Sequence, residues 1–138
     1  MKSKAKLLKS RRNSYRTSEN VLISFRFAFN GIKYTFTNSR NFKIQILFAL
    51  LSLILGYILQ FDQTDYLIFL LTVFSVLTLE ILNTSIESLV DLVVKKNFSN
   101  LAKIAKDCSA GSVLLASLNS VIIGLCLFIP KIKLLFLN

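Results

Sequence analysis

Residues 66–94 read YLIFLLTVFSVLTLEILNTSIESLVDLVV. The run is apolar and, at about 1.5 Å of rise per residue, long enough to cross a hydrocarbon core about 30 Å thick. Yet it carries Glu80, Glu87 and Asp91. At about 100° per residue, Glu80, Asn83, Thr84, Glu87 and Asp91 share one sector about 100° wide. Ile81, Leu82, Ile86, Leu89 and Val90 point elsewhere. Carboxylates left unpaired in lipid cost several kcal/mol each. Like charges one and two turns apart also repel. Such a row persists only with bound cations, protein partners, water or protonation. It reads as a cation-assisted active site or an ion path, against the plainer reading of hydrogen bonds that assemble helices.

Two further runs flank it. Ile44–Gln60, IQILFALLSLILGYILQ, has no charge, and neither has Ser109–Ile129. The connections are FDQTD at 61–65, a short acidic turn, and a basic loop over 95–107 with Lys95, Lys96, Lys103 and Lys106. Pro130 is expected to stop the last run. In residues 21–37, Leu22, Phe25, Phe29, Ile32 and Phe36 recur at helical spacing, with Arg26, Asn30 and Lys33 to one side. Aromatic residues suit a helix lying in the membrane interface. The expected fold is an all-α membrane protein: an interfacial amphipathic helix, then spans at about 44–60, 66–94 and 109–129. Residues 1–20 form a basic cytoplasmic arm and 21–138 a single membrane domain.

Composition agrees. Of 138 residues, 54% are hydrophobic and only 17% charged, yet the net charge is +10. The mean hydropathy is +0.61. With no His, catalysis by histidine and His-ligated metals are excluded. Cys108 and Cys126 are too few for a disulfide framework or a four-Cys zinc site. Eleven of the 17 Lys and Arg precede residue 44, and the 61–65 turn has none. That bias puts the N-terminus and the 95–107 loop in the cytoplasm, and the 61–65 turn and C-terminus outside, in a bacterial-type plasma membrane. The arm lacks the apolar centre of a signal sequence. Beside a membrane, it is more simply attracted to anionic lipid head groups, at about 1 kcal/mol per charge, than to nucleic acid.

A second cluster, Ala102–Ser112, places Lys106 and Asp107 where the basic loop enters the membrane, on the side where the acidic face ends at Asp91. Acids that hold Mg²⁺ and a Lys for phosphate are the parts of phosphoryl transfer. For the Lys-Asp pair alone, snorkelling and a helix cap are the plainer reading. There is no GxxxxGK[ST] and no GxGxxG, so soluble nucleotide-binding folds gain no support. Small residues Ser109, Ala110, Gly111, Ser112, Ala116 and Ser117 allow close helix packing.

Glu80-Ile-Leu-Asn83, Glu87 and Asp91, followed by Ala105-Lys106-Asp107 and Ala110-Gly111-Ser112-Val113, resemble the prokaryotic diacylglycerol kinase and undecaprenol kinase family. The likeness extends to Phe29-Asn30-Gly31-Ile32-Lys33-Tyr34 and to Arg40-Asn41-Phe42-Lys43-Ile44. It implies a homotrimer of three-span subunits that moves the γ-phosphate of MgATP to the primary hydroxyl of a membrane lipid, diacylglycerol or undecaprenol. It implies Glu80 as catalytic base and Glu87 as metal ligand. Asn83, Asp91, Lys106 and Asp107 match positions that shape the nucleotide site. One position departs: Ser39 stands where the family usually has a second metal-binding Glu. Asn97-Phe98-Ser99-Asn100 also replaces a more acidic, His-containing loop. Two rivals remain, a small oligomeric cation channel and a membrane scaffold. The channel does not need the Ala-Lys-Asp motif.

Overall fold

The computed structural model describes residues 21–95 and 97–137. The basic arm, residues 1–20, lies outside the described residues. Four helices follow in order: α1 Val21–Asn38, α2 Arg40–Ile58, α3 Gln63–Val94 and α4 Asn100–Leu137. No strand occurs among the described residues. The chain divides into two compact units, with the division between Lys33 and Tyr34. Everything described below lies in the second.

One residue separates α1 from α2. Ser39 closes α1 by donating its backbone N–H to the Thr35 carbonyl (2.8 Å). It also caps α2, its Oγ accepting from the Phe42 N–H at 3.1 Å. α2 ends in a full Schellman motif. Gln60 takes the left-handed conformation (φ 53°), and the N–H groups of Gln60 and Phe61 bond to the carbonyls of Tyr57 and Gly56. The Phe61 ring then folds onto Gly56, where an added Cβ would lie 3.0 Å from Cδ2.

α3 starts from a capping box. Asp62 Oδ1 accepts from the N–H groups of Thr64 and Asp65, and Asp65 Oδ2 accepts from the Asp62 N–H. Those N–H bonds, the Asp65 one foremost, and the nearby Lys131 hold the Asp62 carboxyl below its ordinary value. A depressed carboxyl stabilises the fold above its unfolded pKa, about 3.9, and loses that contribution as pH falls through the lower folded value. Thermal unfolding across acid pH should show this loss in the wild type and a shallower decline in Asp62→Asn.

Two sequence expectations fail at α4. Pro130 does not stop it, for the helix runs on to Leu137. The turn beyond Pro130 is held from outside: Lys131 Nζ pairs with Asp65 at 2.7 Å and lies 3.6 Å from Asp62. Nor is 95–107 a loop throughout. Ser99 accepts from the Ala102 N–H through Oγ and from the Lys103 N–H through its carbonyl, so α4 starts at Asn100. Lys103, Lys106 and Asp107 therefore ride on its first turns.

Helices α2, α3 and α4 are each long and apolar enough to cross a membrane. α4 packs along α3, and α2 makes a smaller contact with α3. Among the described residues, few large apolar side chains are buried: Phe42, Phe61, Phe69, Val76 and Val113. Phe48, Leu51, Phe74, Leu118 and Ile122 are among many left open. Water would not tolerate such a surface on a monomer, whereas lipid and partner helices would.

Length fixes depth. α2 measures about 28 Å and just crosses the hydrocarbon, while α3 measures about 48 Å and must project beyond it. Glu80 lies about 26 Å along α3 from Gln63, level with the start of α2. Glu87 and Asp91 stand further along α3, past the level at which α2 starts.

Candidate active site

At that level the interior is polar. Thr35, Glu80, Asn83 and Ser109 are buried, Glu80 to 2% exposure. The phase of α3 points Glu80 at the α1–α2 junction. Ser39 Oγ donates to Glu80 Oε1 at 2.6 Å, and Gln45 Nε2 makes a longer contact, 3.4 Å, to Oε2. The Ser39 hydroxyl thus does two jobs, accepting from the Phe42 N–H and donating to Glu80. Ser39→Ala should lower stability by about 1 kcal/mol through the lost cap, read as a lower thermal midpoint in detergent.

One turn on, a second set of bonds joins α3 to α4. Ser109 Oγ donates to Asn83 Oδ1 at 2.6 Å, and Asn83 Nδ2 donates to Glu87 Oε1 at 3.1 Å. The amide is thereby held with its N–H toward the carboxylate. A turn further, Asp91 and Lys106 form an ion pair of 2.5 Å. Both are partly open to solvent, so the pair is worth about 1 kcal/mol or less and can be exchanged for a stronger anion.

Ser39, Glu80, Asn83, Glu87 and Asp91 border a polar cleft of about 310 Å³. The five residues that the helical wheel puts in one sector, Glu80, Asn83, Thr84, Glu87 and Asp91, all line it, opposite Asn38, Ser39 and Arg40. Lys106 reaches it through Asp91. Asp107 is exposed and does not line the cleft. On the other side of Gln45, an apolar groove of about 500 Å³ runs between α2, α3 and α4. Gln45, which lines this groove, contacts Glu80, which lines the polar cleft.

Three features escape the sequence. Ser39 appears there only as an absent ligand, and Ser109 only as a small packing residue. Gln45 is lost inside an uncharged run, although a lone amide in an apolar span is itself a signal.

The chemistry these groups offer is that of a buried carboxylate in a polar cleft, joined through Gln45 to an apolar groove, beside acids and a Lys able to take a phosphate-bearing ligand. The sequence profile of the prokaryotic diacylglycerol kinase family matches residues 26–128. A diacylglycerol kinase of Synechocystis sp. is 41% identical over 122 residues, covering 88% of this chain and 70% of that protein. An undecaprenol kinase of Bacillus subtilis is 39% identical over 109 residues, covering 79% of this chain and 88% of that protein.

Proposed function

The chain belongs to the prokaryotic diacylglycerol kinase family and is a membrane lipid kinase; from that premise we propose that it phosphorylates diacylglycerol to phosphatidic acid, with Glu80 as the base. The observation that carries this reading is the place of Glu80, buried at the polar cleft and in contact with Gln45, which lines the apolar groove. An oily alcohol and a polyanion can meet there without either crossing the other's solvent.

In the transfer, the hydroxyl oxygen bonds to the γ-phosphorus as the bond to the ADP oxygen breaks, and the hydroxyl proton passes to Glu80. Ser39 holds Oε1 with a short bond, whereas Oε2 is held only by the long contact from Gln45. Oε2 is thus the oxygen free to take the proton. Lys106 leaves Asp91 for the phosphates, which carry more charge.

No group of three His, Cys, Asp or Glu able to hold a metal occurs among the described residues. Magnesium at nucleotide sites needs only one or two carboxylates, because phosphates and water supply the rest. Glu87, exposed at the cleft and using Oε1 for Asn83, fits that requirement. Ser39, in place of a second acidic ligand, fits an ion that arrives with ATP. When bound, Mg²⁺ would draw charge from the phosphate oxygens. Asn83 keeps the Glu87 carboxylate in place, and Asp91 sets the resting position of Lys106.

Glu87 and Asp91 are open on one side in the single chain, and a large apolar surface is uncovered. Both suit a homotrimer in which a neighbouring subunit closes the site. The basic excess before α2 supports an N-terminus in the cytoplasm of a plasma membrane, beside anionic lipid, and a C-terminus outside.

The Bacillus relative favours undecaprenol as a second acceptor to test. Purified protein with MgATP should release ADP only when a lipid alcohol is added. Diacylglycerol and undecaprenol, compared in the same micelles, rank the two. ADP release that ignores both lipids would refute the reading.

A further inference from the structure

We propose that Gln45 receives the hydroxyl of the acceptor lipid, and that the apolar groove beside it takes that lipid's hydrocarbon chain. This rests on the lipid-kinase reading and adds a positioning residue to it.

Gln45 sits in an otherwise apolar stretch of α2. Its Nε2 faces Glu80, but its Oε1 is fully buried and no donor among the described residues reaches it. Buried acceptors left unmet are rare and costly, so one beside a reactive carboxylate calls for a ligand that brings the donor. The same side chain lines the groove, whose walls include Phe48, Val73, Val76, Val121 and Phe128.

Two demands therefore fall on one ligand. It must bring an O–H to the amide and a hydrocarbon chain to the groove. A water-soluble alcohol meets only the first. A lipid with a charged, fully substituted head meets only the second, and would press its charge against an apolar wall. A lipid ending in a free hydroxyl meets both. Gln45 Oε1 holds the hydroxyl hydrogen on arrival, and Gln45 Nε2 keeps Glu80 Oε2 beside it. The hydrogen then leaves to Glu80 as the oxygen bonds to phosphorus. The amide decides which end of the lipid meets the base.

The test is steady-state kinetics in mixed micelles with diacylglycerol and MgATP, on wild type, Gln45→Leu and Gly124→Leu. Gly124 lines the groove, and a Cβ there meets nothing within 4 Å, so a larger side chain enters the groove without displacing neighbours. Gln45→Leu should raise the half-saturating mole fraction of lipid by about five- to tenfold, the worth of one hydrogen bond, with that for ATP unchanged. Gly124→Leu should raise the same quantity with the number of subunits in the assembly unchanged. Unchanged lipid saturation in Gln45→Leu overturns the proposal. So does a joint rise for ATP and lipid with a lower thermal midpoint, which would mark a structural role. A changed number of subunits in the Gly124→Leu assembly, with lipid saturation intact, would assign the groove to a second copy of the chain and likewise overturn it. Wild type that transfers no phosphate would instead remove the lipid-kinase reading itself.

Discussion

Glu80→Gln should cut turnover by about 10²–10⁴-fold, the usual contribution of a positioned base. The change is nearly isosteric, and the local bonds can survive it. Ser39 still donates to the side-chain oxygen, and Gln45 can turn its amide to offer Oε1, which has no donor among the described residues. What disappears is the lone pair that takes the hydroxyl proton. ATP saturation should change little, because the cleft beyond Asn83 is untouched. A variant that folds, binds nucleotide and turns over at the wild-type rate would remove Glu80 from the chemistry.

The second large effect is expected at Glu87. Glu87→Gln keeps an oxygen for Asn83 but removes the charge that we assign to the nucleotide's magnesium. Half-saturating Mg²⁺ should rise by roughly 10- to 100-fold, a range found even for groups one bond removed from an ion. High Mg²⁺ should recover much of the rate, which it would not do for Glu80→Gln. The two variants thus separate binding from proton transfer. Equal Mg²⁺ dependence in wild type and Glu87→Gln would move the ion to other ligands.

Much of the fold could be read from residue order, because lipid allows so few backbone solutions. Three long apolar runs in α2, α3 and α4 had to be helices. The polar sector of α3 could be read because a 3.6-residue period leaves no freedom over three turns, and its five residues do line one cleft. Helix ends were harder, since they depend on single bonds made at a distance. Ser99 starts α4 earlier than the basic residues suggested. The ion pairs of Lys131 with the α2–α3 turn accompany a helix that continues past Pro130.

Within the site, what remained hidden was pairing between helices. Nothing in the order of residues shows that Ser39 meets Glu80 across 41 positions, or that Ser109 meets Asn83 across 26. The length of α3, 32 residues against 19 in α2, places Glu87 and Asp91 past the level at which α2 starts, with Glu80 beside that start.

The proposed placement of Glu80 between water-borne nucleotide and membrane-borne alcohol is tested most directly by following the γ-phosphate itself. Purified protein in diacylglycerol micelles is given ATP labelled at that phosphate, with Mg²⁺, and the lipid is extracted. The account predicts labelled phosphatidic acid, and none when Mg²⁺ is chelated. Label that stays in ATP or appears only as free phosphate, from folded protein with lipid and metal present, would contradict it.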